Sequence, residues 1–385
     1  MGVGWDDEGA VASWPGLPPL DGDRSADACV VGLGASGLAA VGTLVERGLS
    51  VIGVDAGRVA AGAAGRNGGF LLAGPSLFLH QAIARWGAQA AVDLYLETLY
   101  ELRRLEDSVG SGIVRRTGSI RLAGVPGDPA SEAEAVDRAR EVADCELHAK
   151  ALHEHGIAVE EYDGPLGIGI YLPDDGAMNP ARRALAVARS ASAKAALYEG
   201  SYVLDVGARR VRTARGTVRA RVVIVAIDGR IETLLPQLEH RVRTARLQML
   251  ATAPITPGRL PCPVYGRWGY DYAQQAPDGR LFVGGGRDHF VEDEWTTDAA
   301  PTDSVQGYLD ETATRMAAGP VEVRHRWGAS VGYTPDGRPL CTQVDEGVVA
   351  VGGYNGTGNL IGPIAARAAV ALALDGTPPP PYLAS

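Results

Sequence analysis

Gly32, Gly34 and Gly37 stand in the run Asp27-Ala28-Cys29-Val30-Val31-Gly32-Leu33-Gly34-Ala35-Ser36-Gly37, and Asp55 follows eighteen residues after the last of them. This spacing is suited to holding a pyrophosphate. Gly32 permits a tight turn, Gly34 lets backbone approach the phosphates, and Gly37 lets a helix pack closely on its strand, so that the N–H groups around Ala35 and Ser36 face the ligand. Asp55, with Ala56 beside it, closes the apolar run Val51–Val54, where a carboxylate accepts hydrogen bonds from ribose hydroxyls. The ADP half of a dinucleotide fits this pattern. Two further segments carry polar groups on glycine-rich backbone. Gly62-Ala63-Ala64-Gly65-Arg66-Asn67-Gly68-Gly69-Phe70 reads as a loop that offers Arg66 and Asn67 as donors, beside Gly68 and Gly69, to a planar ligand. The run Val348–Gly353 reads as a buried strand, Tyr354–Asn359 as a turn and Leu360 to Leu374 as an apolar helix. Such a helix start gathers backbone N–H groups into an electropositive pocket. It makes Gly353, Gly356, Thr357, Gly358, Asn359 and Leu360 candidate contacts.

The elements that must position these residues follow from pattern. Strand, glycine turn, helix, strand and acid occur in the order of a Rossmann-like α/β fold. A later strand, Val222–Ala226, runs into Ile227-Asp228-Gly229. Asn179 and Pro180 begin a helix extending to about Ala196, and Ser201–Val206 is a strand that presents Val203. Leu94, Leu99, Leu102 and Leu105 mark one helix; Ala133, Val136, Ala139 and Val142 mark a second, charge-rich and solvated one. Val264–Tyr272 and Arg280–Gly286 read as two strands of a hairpin turned at Asp278-Gly279. The predicted organisation is an arm over residues 1–25, a discontinuous cofactor domain over 26–75, 147–232 and 324–378, and an α+β substrate domain on an antiparallel sheet over 76–146 and 233–323.

Composition narrows the function. The chain has 385 residues, 46% hydrophobic and 21% charged, with a formal net charge of −10. An acidic chain of this kind is a poor binder of nucleic acid or of anionic membrane, which leaves small-molecule chemistry. The first residues lack the basic and apolar regions of a secretory signal, and no apolar run approaches the ~20 residues that span a bilayer. Cys29, Cys145, Cys262 and Cys341 are widely spaced, as in a reduced, cytoplasmic protein without a structural metal. His148, His153 and His155 lie near a helix end without a paired acid or cysteine pattern, and no metal site is expected.

G-x-G-x-x-G near the start, followed after the second strand by G-x-x-x-R-N-G-G, resembles the D-amino-acid oxidase superfamily of FAD-dependent amine and amino-acid oxidases. The Leu20-Asp21-Gly22-Asp23 arm and the Arg66–Gly69 segment are similar to its γ-glutamylputrescine oxidoreductase branch. The resemblance implies a glutathione-reductase type of FAD-binding domain and a sheet that roofs the flavin, with substrate between the two. It also implies hydride transfer from a carbon next to nitrogen to flavin N5, hydrolysis of the imine product, and oxygen or another acceptor to reoxidise the flavin. The α-helix beginning near Leu360 would face the flavin pyrimidine and stabilise its developing negative charge. The resemblance implies cofactor contacts at Val203 and Ala226; family members commonly end the latter strand in A-T-N-G, whereas this chain has Ala226-Ile227-Asp228-Gly229. Tyr270, Asp271, Tyr272 and Arg287 are the pocket candidates, together with Arg66 and Asn67, since aromatics line amine sites and a carboxylate attracts the cation. His289 follows the roofing strand.

Sarcosine-oxidase-like relatives hold the substrate carboxylate with a basic residue where this chain has Leu360, and they attach flavin through a cysteine that is missing before Tyr333-Thr334-Pro335-Asp336-Gly337. The lysine that assists oxygen in some relatives also has no counterpart. These departures point to non-covalent FAD and an amine substrate, with Arg267 or Arg287 as the alternative anchor for a carboxylate. Alternatives are a D-amino-acid, glycine or sarcosine oxidase or dehydrogenase and, in another class, a non-catalytic flavin-binding subunit.

Overall fold

The computed structural model describes residues 2–384. The chain forms two compact units, each assembled from stretches that are far apart in sequence.

One unit comprises Glu8–Arg66, Pro180–Ala245 and the chain from Ser330 on. Its frame is β1 (Arg24–Val31), α1 (Ala35–Glu46), β2 (Val51–Val54), β3 (Gly216–Val225), β4 (Val348–Gly352) and α2 (Gly358–Asp375). The sheet runs β4-β3-β1-β2, with Leu340–Asp345 added outside β4 and Ala196–Tyr198 outside β2. Every pairing from β4 through Ala196–Tyr198 is parallel. Strands covered on both faces need apolar side chains at every position. Val30, Val54, Val223, Ile224, Val225 and Val351 are accordingly wholly buried. This is the parallel α/β sheet that the Val-rich runs predict.

The second unit comprises the residues up to Asp7, Asn67–Asn179 and Arg246–Ala329. Its eight-stranded sheet begins with Val323–Tyr333 beside Arg243–Pro254, continues in antiparallel succession through Arg280–Gly285, Asp271–Gln275 and Val264–Gly266, and then takes in Ser119–Leu122, Gly167–Leu172 and Glu160–Gly164. One junction, Val264–Gly266 with Ser119–Leu122, is parallel, so the sheet is mixed where a wholly antiparallel one was expected.

Several elements differ from expectation for identifiable reasons. Val264–Tyr272 is not one strand. Arg267 and Trp268 take positive φ (49° and 55°) in a 3-10 turn, Arg267–Gly269, which folds the run back into two paired strands. The Asp278-Gly279 turn does close a hairpin, with Gly279 at φ 91°, but the strand paired with Arg280–Gly285 is Asp271–Gln275 in place of Val264–Tyr272. Ala63–Arg66 is a single helical turn, not irregular loop, because its small residues let Gly65 close on Ala60, where a Cβ would lie 2.2 Å from the carbonyl oxygen. The charge-rich helix spans Glu132–Glu154 and is solvated only in part: Glu141, Cys145, His148, Ala151 and Leu152 are buried. The helix after Asn179 ends at Ser192, since Ala196 already belongs to a strand, and the strand expected from Ser201 begins at Val203. No helix among the described residues is long and apolar enough to cross a membrane.

Candidate functional site

In the parallel unit, the glycine segments meet at the carboxyl ends of adjacent strands. β1 ends in Gly32, which has φ 94° and room for no side chain: a Cβ there would lie 2.6 Å from the Ala226 carbonyl oxygen. Gly37 brings α1 so close to the turn that a Cβ would fall 1.7 Å from the Gly32 carbonyl oxygen. No side chain caps the start of α1 and no acid stands in its first turn. The turn therefore presents the Gly34, Ala35 and Ser36 backbone with the positive end of the helix dipole. Asp55 follows β2, and its carboxylate accepts the N–H groups of Leu33 at 2.7 Å and Gly57 at 2.9 Å, with Ala56 between. Burial pushes its pKa up against those two hydrogen bonds. Ala226, just beyond β3, donates its N–H to the Val31 carbonyl at 2.8 Å. Val203 starts its strand and is buried.

The turn after β4 lies beside the end of β3 because those two strands are paired. Gly353 (φ 65°), Asn355 (φ 53°) and Gly356 (φ 88°) turn the chain into α2, which begins at Gly358, two residues before the expected start. Thr357 precedes the helix and donates its hydroxyl to the Tyr354 carbonyl at 2.7 Å, while Asn359 lies in the first turn and Leu360 is buried. Again no acidic residue occupies the first turn. Asn355 fixes the turn: its amide donates to the Gly353 and Gly337 carbonyls at 2.8 and 3.0 Å and accepts from the Thr334 N–H at 2.9 Å.

Asp228, noted in the sequence only as a departure from A-T-N-G, joins these parts. Held at φ 54°, it accepts the N–H of Tyr354 at 3.1 Å and of Gly332 at 3.3 Å. Burial raises its carboxyl to about 6 even though backbone hydrogen bonds from Tyr354, Gly332, Gly353 and Gly229 oppose the shift. Gly352 and Gly332 permit the approach, since a Cβ on either would stand 3.1 or 3.0 Å from Asp228 backbone. Pattern reading had no means of finding this, because the partners lie more than a hundred residues away.

The pocket candidates belong to the other unit. Tyr272 lies over the segment after Arg66: its ring meets Phe70 edge-on at 5.7 Å and would contact a Cβ on Gly68 at 3.3 Å. Tyr270 is 39% exposed. Asp271 is wholly buried and paired, its carboxylate meeting Arg267 at 2.8 Å and the Tyr308 hydroxyl at 2.6 Å. Arg267 also bridges to Asp288, so both groups are committed inside the protein. Arg287 stacks on Trp295 at 4.9 Å. Gln274, absent from the expectations, is buried and donates to the Gly68 and Met178 carbonyls while accepting from Arg115 at 2.9 Å. His148 is buried with Nδ1 accepting the Leu79 N–H at 2.9 Å, and its pKa lies well below the usual range because of burial and the nearby Arg121. Among the described residues no group of three or more His, Cys, Asp or Glu could hold a metal ion.

The family model described as FAD dependent oxidoreductase (DAO) matches residues 27–372. The chain is 28% identical over 377 residues to the probable oxidoreductase OrdL of Rhizobium meliloti (strain 1021), covering 92% of this chain and 84% of that protein. It is 24% identical over 361 residues to the gamma-glutamylputrescine oxidoreductase of Escherichia coli (strain K12), covering 88% and 81%. Its fold is similar to that of glycine oxidase from Geobacillus kaustophilus, with a TM-score of 0.72 at 20% identity over 92% of this chain and 95% of the other.

Proposed function

Because the chain belongs to the DAO family of FAD dependent oxidoreductases, we propose that it oxidises an amine at the carbon next to nitrogen, releasing an imine that water hydrolyses. The observation that carries this reading is the meeting of the glycine turns at β1, β3 and β4 within one unit. Bound FAD supplies a two-electron acceptor at N5.

The residues present suit that group. The start of α1 offers backbone donors with no acid to repel a pyrophosphate, and bulk at Gly37 would close the cradle. Asp55 is held where it can accept from ribose hydroxyls, with Ala56 and Val203 alongside the adenosine. The Gly353–Leu360 turn supplies the dipole for the pyrimidine edge, and Asp228 with Asn355 fixes that turn. The family resemblance would make Arg66, Asn67, Gly68 and Gly69 ring contacts. The lack of a cysteine in Trp327-Gly328-Ala329-Ser330, just upstream of Tyr333, supports non-covalent attachment. On this reading the parallel unit is the cofactor domain and the mixed-sheet unit the substrate domain.

Two features favour an amine over an amino acid. Leu360 stands where a carboxylate-binding base would be needed, and of the two arginines that could replace it Arg267 is already engaged by Asp271 and Asp288, while Arg287 packs on the Trp295 ring. Tyr272, with Tyr270 and Arg287, remains the proposed substrate wall. Asp271 then acts by fixing Arg267 and Tyr308 beneath that wall, and leaves the amine to be bound as the neutral base.

The expected result is a yellow protein whose visible absorption bleaches anaerobically on addition of an ω-amino compound such as γ-glutamylputrescine, and not with glycine or D-alanine. Peroxide formation on admitting air distinguishes oxygen from another acceptor. Bleaching by amino acids alone would exchange the substrate class, and a flavin reduced by no member of the panel would favour a non-catalytic role.

A further inference from the structure

The segment Asn67-Gly68-Gly69 is held by its carbonyls, each from a different part of the chain. Asn67 O accepts the Trp5 indole N–H at 2.9 Å, Gly68 O accepts the Gln274 amide, and Gly69 O accepts the Met178 N–H at 2.8 Å. Gln274 comes with the mixed sheet, and Met178 follows Gly176–Ala177, which pairs with Phe70–Leu71 in a separate two-stranded sheet. The third is supplied by Gly4–Asp7, a short 3-10 turn that lies flat on the mixed sheet.

That turn is built in firmly. Trp5 is 2% exposed and stacks on Phe282 at 3.4 Å with 3° between the ring planes. Gly4 sits where a Cβ would be 2.7 Å from the Ala251 side chain, and its carbonyl accepts from Arg280 at 2.6 Å. Asn179 donates to the Trp5 carbonyl at 3.3 Å, and His325 meets Asp7 at 2.8 Å. Packing of this extent far exceeds what a dangling arm needs.

Since a trans peptide is planar with its C=O and N–H opposed, fixing the Asn67 carbonyl toward Trp5 turns the Gly68 N–H to the opposite side. Asn67 Oδ1 accepts the next N–H, that of Gly69, at 2.8 Å. We propose that Trp5 is a positioning residue for the cofactor: its indole N–H orients the Asn67–Gly68 peptide so that the Gly68 N–H is presented to the flavin ring. This rests on the reading that the Arg66–Gly69 segment contacts FAD.

The test replaces the donor while keeping the stack. Trp5→Phe, or incorporation of the N–H-lacking isostere benzothienylalanine at position 5 should the phenylalanine variant fail to fold, is compared with the unaltered protein for FAD dissociation constant, visible absorption and circular dichroism of the bound flavin, and thermal unfolding without FAD. The expected result is FAD affinity weakened about tenfold, with a shifted flavin spectrum and near-normal unfolding of the FAD-free protein. Gly4→Val, which lifts the turn from Ala251, should change the spectrum in the same way. Unchanged affinity and spectrum in the position-5 variant, alongside clear FAD loss in Arg66→Ala, overturns the role of Trp5 and leaves the reading of the segment intact. Unchanged FAD binding in both overturns the reading and the inference together.

Discussion

At the scale of single residues, the chain buries carboxyl groups that sequence pattern gives no reason to single out. Asp175 is enclosed, accepts the Ser119 hydroxyl at 2.6 Å and the Ala73 N–H at 2.8 Å, and is pushed up to about 7 by burial, with those hydrogen bonds pulling the other way. Its folded pKa lies above its ordinary value of 3.8, so its contribution to stability is complete below pH 3.8 and is lost as pH rises toward 7. Asp175→Asn retains an acceptor for Ala73 and a donor for Ser119 without the buried charge. The variant should gain roughly 2–4 kcal/mol over the parent at pH 8 and little at pH 4, as read from urea unfolding at both pH values. Equal gains at the two would show that the carboxyl is not held up. Residues of this sort, like Gln274 and Asp228, were not legible beforehand, because what makes each matter is a partner more than a hundred positions away. Asp271 makes the same point from the other side: its residue type fits an amine site, but the fold supplies Arg267 four residues earlier and Tyr308 from another helix to occupy it.

At the scale of elements, the glycines were legible because their reason is local. G-x-G-x-x-G encodes a strand-to-helix turn within a few residues, and the structure gives Gly32 and Gly37 the close contacts that the spacing requires. Two glycines of α1 make the distinction measurable. At Gly37 a methyl group would overlap the Gly32 carbonyl, whereas at Gly42 nothing lies within 4 Å of the Cβ position. Gly37→Ala should cost about 3 kcal/mol or more and abolish FAD retention; Gly42→Ala should stabilise by about 0.5–1 kcal/mol through helix propensity alone. Denaturant titration of the two variants checks the contrast, and similar effects would refute the close packing of helix and turn. The run Val264–Tyr272 was misread at this scale because alternating aromatics signal a strand, while nothing in residue type announces that Arg267 and Trp268 adopt left-handed backbone.

At the scale of the whole molecule, all four cysteines are buried. Burial raises the thiol of each to about 12, so the reactive thiolate is scarce at neutral pH. Ellman's reagent should therefore leave the native protein unmodified over a period in which guanidinium-unfolded protein releases four equivalents. Rapid labelling of even one thiol in the native state would contradict the packing around it. The division into two units could be anticipated from length and from the return of the chain to the parallel sheet, but their boundaries could not. The residues before β1 read as a simple arm, yet Trp5 stacks in one unit while Trp14 donates to Glu199 at 3.0 Å in the other.

The strand order β4-β3-β1-β2 has a bearing on biosynthesis. β1 and β2 leave the ribosome together, but the strand that must lie against β1 starts at Gly216 and the one beyond it at Val348. At roughly 5–20 residues per second, the nascent protein carries an unsatisfied valine-rich edge for about ten seconds or more, the kind of surface that recruits neighbouring chains. Factors that shield emerging polypeptides should thus raise the yield of correctly folded material, as measured by the soluble fraction with and without their co-expression.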